Sequence, residues 1–156
     1  MIIVGIGFKI GIVPFHGWLP DVYGGVNSIT ISFVSTVLKV SGIMVIFRIL
    51  YPFAATLGEK WLILFSILSI VTMTFGNIAA LIQRNVQRMM AYSSIAQVVY
   101  LLVGFAAATS EAGAAIGVQG IALHLTMYVL ATTGIVSALA YLTRKGMQTD
   151  LSGIGG

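Results

Sequence analysis

The sequence predicts an all-α fold, a polytopic membrane helix bundle of about five transmembrane helices with the first broken at Pro14. Three observations predict it. Hydrophobic residues make up 58% of the 156 and charged residues only 8%, against about 25% charged in an ordinary soluble domain, so there are too few charges to clothe a water-soluble globule. Mean hydropathy is +1.04. The apolar residues also fall into runs close to the ~20 that a helix needs to cross a bilayer, far longer than the roughly ten of a barrel strand and without its alternation.

The first span covers residues 1 to 19 and holds Lys9, Pro14 and His16. Proline has no N–H and its ring clashes with the preceding turn, so it kinks or breaks the helix and frees carbonyls. Transporters use such breaks at mid-membrane, where irregular backbone meets protein or water; a plain packing kink is the alternative. The second span, 28 to 50, follows the turn-like Gly24-Gly25-Val26-Asn27-Ser28 and ends near Arg48, with Lys39 inside. The third, 61 to 82, runs from Trp61 to Gln83 and Arg84 with no charge between. The fourth, 89 to 108, is free of charge, and the fifth, 115 to 142, is long enough to cross with tilt. Loops are expected at about 18 to 28, 51 to 60, 83 to 88 and 109 to 114.

Orientation follows from the loops. One side carries Arg84, Arg88, Arg144 and Lys145, the other Arg48 and Lys60 with Glu59 and Glu111, which puts the first side in the cytoplasm by the positive-inside rule. Trp18, Tyr23, Tyr51, Trp61 and Tyr141 fall near the expected interfaces, where amphipathic rings collect. The net charge of +4 is therefore a topology signal and points to no nucleic-acid partner. The absence of cysteine excludes disulfides, thiolate chemistry and cysteine-held zinc or iron–sulfur clusters in this sequence. A cleavable signal peptide is not expected, since the first residues lack a basic stretch and a small-residue cleavage site. Residues 1 to 156 form one membrane domain, and both ends look interrupted, as in a piece of a longer protein.

Chemistry concentrates at the charges inside spans. Lys39 stands eleven residues from either end of its span, roughly 16 Å at 1.5 Å per residue, too deep to reach the interface by bending. An ionised lysine there costs about 2.5 to 3.5 kcal/mol, which asks for a function. Such a lysine exchanges protons if water reaches it and a carboxylate can pair with it. Lys9 raises the same question. Ser32, Ser35, Lys39 and Gly42 share one helix face, as do His124, Tyr128 and Thr132 on the fifth span, Ser94 and Gln97 on the fourth, and Ser66, Ser69 and Thr72 on the third. These stripes fit either a hydrated path or close packing of small residues. His16 and His124 could be proton carriers, paired haem ligands or hydrogen-bonded core residues, and two histidines without a spacing signature give no metal site. No acidic residue lies inside a span: Asp21 and Asp150 fall on the cytoplasmic side, Glu59 and Glu111 on the outer one.

The run Gly7-Phe8-Lys9-Ile10-Gly11-Ile12-Val13-Pro14-Phe15-His16-Gly17-Trp18-Leu19-Pro20-Asp21-Val22-Tyr23 resembles the signature of the antiporter-like membrane subunits shared by respiratory complex I and the multisubunit cation/proton antiporters. Val37-Leu38-Lys39 and Asn85-Val86-Gln87-Arg88-Met89-Met90-Ala91-Tyr92-Ser93-Ser94-Ile95 look like two further blocks of that family, and Asp21-Val22-Tyr23, Tyr100-Leu101-Leu102 and Tyr128 lean toward the N-type subunits of complex I. The resemblance implies helices seven to eleven of a fourteen-helix protein. Lys9 would be the central lysine at the break, Lys39 its proton-passing neighbour and His16 the histidine after the break. Gln97 and Tyr128 stand where sister subunits often carry histidine. The family's fifth-helix acid and twelfth-helix charge lie outside this sequence.

These readings converge on a proton-translocating membrane-arm subunit of a complex I type oxidoreductase, in a prokaryotic cell membrane. Lys9, Lys39, His16, His124, Tyr128 and Gln97 are the proton-transfer candidates. The resemblance implies no catalysis and no cofactor or metal in this chain alone; quinone, nicotinamide and iron–sulfur clusters belong to partner subunits, and the immediate partners are lipid, water, protons and other membrane-arm subunits. The alternatives are a sodium/proton antiporter or membrane-bound hydrogenase subunit, a haem-binding enzyme using His16 and His124, and a structural scaffold.

Overall fold

The computed structural model describes residues 1–108, 113–146 and Asp150. Five helices follow in order: α1 (Ile2–Ile10), α2 (Trp18–Gly25), α3 (Ser28–Ile82), α4 (Val86–Ala108) and α5 (Ala114–Arg144). Among the described residues there is no strand, only an isolated bridge between Asn85 and Asp150. Four stretches are long and apolar enough to cross a membrane: Ser28–Ile49, Glu59–Ile82, Val86–Ala108 and Ala114–Arg144. They match the second to fifth predicted spans within a few residues.

The first predicted span is two short helices with a break between them, and the break starts earlier than the proline. α1 ends at Gly11, which takes the left-handed conformation (φ 80°, ψ 39°), three residues before Pro14. The Gly7 carbonyl then accepts from both Gly11 N–H and Ile12 N–H at 2.9 Å. The Phe8 carbonyl accepts from the Trp18 indole at 2.8 Å, and the two rings stack at 5.6 Å. The carbonyls released by the break thus find partners within the protein. A side chain at Gly11 would also collide with Leu19. Gly11→Ala is therefore expected to cost about 1 to 2 kcal/mol for the left-handed backbone alone and more for the collision, read as a lower temperature of detergent-induced unfolding.

The stretch expected as a loop at 18 to 28 is mostly α2, because Leu19, Pro20 and Tyr23 give it a buried face. The stretch expected as a loop at 51 to 60 also differs: its backbone is helical and belongs to α3, with Pro52 inside. The eighteen residues from Phe47 to Phe65 would cover about 27 Å in a straight helix. Yet both rings pack on Phe105, at 5.7 and 4.8 Å between centroids. The helix axis therefore folds back within this stretch, and the two arms of α3 lie side by side as the two spans require. Residues 109 to 112 of the last expected loop and most of the tail lie outside the described residues, as does the Tyr51 side chain.

Side-chain caps fix where the later helices start. Asn27 accepts from Thr30 N–H at 2.9 Å ahead of α3, and Asn85 accepts from Gln87 and Arg88 N–H at 2.9 and 3.2 Å ahead of α4. α4 is the central strut, touched by α2, α3 and α5. Close approach is possible because of small residues: a Cβ on Gly76 would stand 3.0 Å from the Ala96 nitrogen, and one on Gly117 2.5 Å from the Gly104 oxygen. One apolar cluster, with Ile10, Ile43, Phe65, Leu102, Phe105 and Ile121, fills one level of the bundle. A second, with Leu19, Tyr23, Ile31, Ala91, Ile95 and Val136, fills the end near α2. Asp21 lies 3.6 Å from Arg88 at that end, and the Asn85–Asp150 bridge closes there too, so the stretches assigned to one side of the membrane do gather at one end.

Candidate functional site

Between the two apolar clusters, the first arm of α3 faces α4 and α5 through Ser35 and Lys39. Lys39 is 4% exposed. Its ammonium donates to the Ser94 main-chain carbonyl on α4 and stands 4.7 Å from the centre of the Tyr128 ring on α5, a cation–π contact. Among the described residues no carboxylate pairs with it. Its charge is thus supported by one carbonyl and one ring face, and a proton can leave it without breaking an ion pair.

Beside Lys39 lies a pocket of about 280 Å³ lined by Tyr23, Ser35, Ser94, Gln97, His124, Tyr128 and Thr132 together with apolar neighbours. The Tyr23 hydroxyl approaches those of Ser94 and Ser35, and the Tyr128 hydroxyl those of Thr132 and Ser94. None of these approaches closes a well-formed hydrogen bond: Tyr23 Oη, Ser94 Oγ, Tyr128 Oη and His124 Nε2 are buried without a partner among the described residues. Each such orphan costs about 1 to 3 kcal/mol unless water satisfies it. A space of this size with four unsatisfied polar atoms on its wall has both the room and the partners that water needs.

The pocket collects most of the residues singled out from sequence. Lys39, Gln97, His124, Tyr128, Ser35, Ser94 and Thr132 converge there from three helices. His124 packs on Tyr100 at 5.0 Å and on Tyr128 at 6.4 Å. His16 stands elsewhere, in the break after Pro14, edge-on to Phe75 of the second arm of α3 at 4.5 Å, with Nδ1 buried and unpartnered. The two histidines therefore share no pocket, and the arrangement does not fit a haem held between them. Among the described residues no three metal-binding side chains cluster. Lys9 is half-buried at the end of α1. Its neighbour Ile10 seats where a side chain on Gly42 would fall, one helical turn from Lys39.

Sequence reasoning missed one ring of the pocket and the acceptor of Lys39. Tyr23 reads in sequence as an interface ring but is 1% exposed and reaches into the pocket. The Ser94 carbonyl is main chain and carries no residue-type signal. The third-span stripe also divides. Ser69 donates to its own helix at the Phe65 carbonyl, 2.7 Å away, whereas Thr72 Oγ1 is buried without a partner.

Comparison with known proteins agrees with this architecture. The family described as the NADH:quinone oxidoreductase/Mrp antiporter transmembrane region matches residues 1–154. NADH-quinone oxidoreductase subunit N of Ruthia magnifica subsp. Calyptogena magnifica is 36% identical over 149 residues, 96% of this chain and 30% of that protein. The subunit N of Desulforamulus reducens is 35% identical over 156 residues, all of this chain and 32% of that protein. A chain of respiratory complex I from Thermus thermophilus with bound aureothin superposes with a TM-score of 0.72 at 30% identity, covering 95% of this chain and 30% of that one. The chain thus spans about a third of the length of these relatives. It belongs to the NADH:quinone oxidoreductase/Mrp antiporter transmembrane family of membrane proteins.

Proposed function

We propose that the chain forms the central helices of a proton-translocating membrane-arm subunit of a complex I type NADH:quinone oxidoreductase. In this reading residues 1–156 are one membrane domain, helices seven to eleven of fourteen. They lie in a prokaryotic cell membrane with the 83–88 turn toward the cytoplasm. The chain catalyses nothing alone. Nicotinamide, iron–sulfur clusters and quinone sit in partner subunits, whose electron transfer drives proton movement here.

The observation that carries the reading is a buried lysine without a carboxylate partner among the described residues, set beside a pocket whose wall carries unsatisfied polar atoms. A scaffold has no use for such a group, since its burial is costly. In the proposed relay the Lys39 amine releases its proton to pocket water, and Tyr128, His124 and Gln97 hold that water in line. Lys9, whose neighbour Ile10 packs one turn from Lys39, exchanges protons with it through the same water. Charge on one amine opposes charge on the other by Coulomb repulsion, so the two tend to be charged in alternation. His16 belongs to the break and is proposed as a further carrier on the side of Phe75.

The test uses the whole complex in sealed vesicles, supplied with NADH and quinone. Lys39→Ala is expected to lower the protons moved per electron severalfold, read with a pH-sensitive dye while NADH oxidation is followed. An unchanged ratio overturns the reading. Proton movement driven by an imposed sodium gradient, with no electron donor, would assign the chain to an antiporter instead.

A further inference from the structure

Of the groups lining the lysine pocket, Tyr23 is the one contributed by α2, the helix that caps one end of the bundle. Its ring is wedged among Leu19, Ile31, Ala91 and Ile95, an apolar setting in which phenylalanine would pack as well. Its hydroxyl nonetheless approaches the Ser94 and Ser35 hydroxyls and is buried without a well-formed hydrogen bond among the described residues. Two residues earlier Asp21 is exposed, and the next residue, Gly24, is exposed beside Arg88. Tyr23 therefore reaches from the wet rim of the bundle into the interior, and at 1% exposure it fills the way between.

We propose that Tyr23 is the proton-relaying hydroxyl at the α2 mouth of the Lys39 pocket, passing protons from the Asp21–Arg88 end of the bundle through Ser94 and pocket water to Lys39. This rests on the proton-translocating reading above. A phenol suits the task because its oxygen both donates and accepts. Oη takes a proton from water on the rim side as its own proton passes to the Ser94 side, and rotation of the hydroxyl resets it. No net charge stays on the ring. The polar groups of the pocket it enters are Ser35 from α3, Ser94 and Gln97 from α4, and His124, Tyr128 and Thr132 from α5, with Lys39 against Tyr128 beside them and Asp21 and Arg88 at the rim.

The experiment compares Tyr23→Phe and Lys39→Ala in the whole complex in sealed vesicles. Phenylalanine keeps the ring and removes only the hydroxyl, so a purely structural Tyr23 would leave pumping intact. The expected result is a fall of roughly tenfold or more in the initial pumping rate, in the range of lost proton-transfer groups. Normal pumping in Tyr23→Phe with loss in Lys39→Ala overturns this inference alone; normal pumping in both overturns the functional reading as well. If Tyr23→Phe fails to assemble, 3-fluorotyrosine at position 23 keeps the shape and makes the phenol more acidic. It is expected to shift the pH profile of pumping, and an unshifted profile overturns the proposal.

Discussion

Exchange of Lys39 for methionine is expected to make the bundle firmer and to stop proton passage. Methionine matches the lysine stem in length and fills irregular gaps. The Ser94 carbonyl, which lies within α4, keeps its helical acceptor role when the ammonium goes, so no orphan replaces the lost contact. The exchange removes a buried charge that, among the described residues, has one hydrogen bond, one ring face and no counter-ion. Replacing buried charge by well-packed apolar groups is commonly neutral or stabilising, and a gain of about 1 to 3 kcal/mol is expected here. Pulse proteolysis of the solubilised complex over a temperature series, read on this subunit, checks the gain. Pumping is measured on the same preparation. A destabilised Lys39→Met variant would mean that the lysine holds the fold together, contrary to the role given to it.

Gly117→Leu is expected to have the opposite character, losing structure first and function with it. The Cβ would stand 2.5 Å from the Gly104 oxygen, 2.7 Å from the Ala108 nitrogen and 2.9 Å from the Ala108 Cβ. Two of these are main-chain atoms of α4, so no flexible side chain can move aside. Overpacking of this kind costs about 3 kcal/mol or more when it forces backbones apart. α5 must then leave α4, taking His124, Tyr128 and Thr132 away from Lys39. Subunit level in membranes is the first readout, and pumping per recovered complex the second. Gly120, three residues on, has open space where its Cβ would stand. Gly120→Ala should therefore be tolerated, with a gain of about 0.5 to 1 kcal/mol in helix propensity. Equal damage from both variants would show that the crossing is not what Gly117 is for.

The spans were legible in the sequence because bilayer thickness imposes a length that soluble cores do not, and their ends agree with the structure within a few residues. Lys39 was legible for the same reason, since depth follows from counting. The break in the segment before it was legible too, since Pro14 lies inside it, but its first residue was not. Pro14 drew attention through its ring, but Gly11 ends α1, because a left-handed residue closes a helix more directly than a proline three positions on. The helical backbone of 51–60 and the helix α2 were hidden by composition. Glu59, Lys60 and Pro52 signal a loop when a membrane is the assumed frame, yet the backbone there keeps its helical turns.

Hydroxyls are harder to read from sequence. Thr74, Thr126, Thr133 and Ser137 each donate to the carbonyl four residues back, at 2.7 to 2.9 Å. A hydroxyl satisfied in this way can face lipid, so polar stripes by themselves do not mark a wet interior. The better markers are buried hydroxyls left unsatisfied among the described residues, Ser94, Tyr23 and Tyr128 at the pocket and Thr72 on the second arm of α3, and satisfaction depends on rotamer and neighbours that a sequence does not display.

The acceptor of Lys39 has a genetic consequence. Because it is a main-chain carbonyl, every codon at position 94 encodes it, and Ser94→Ala would delete a hydroxyl of the pocket yet leave the lysine's hydrogen bond in place. If the proposed relay holds, a saturation screen for lost growth on respiratory substrates is expected to register Lys39 and Tyr128 while passing over the atom to which the lysine is hydrogen-bonded. The anchor is inherited with the path of α4.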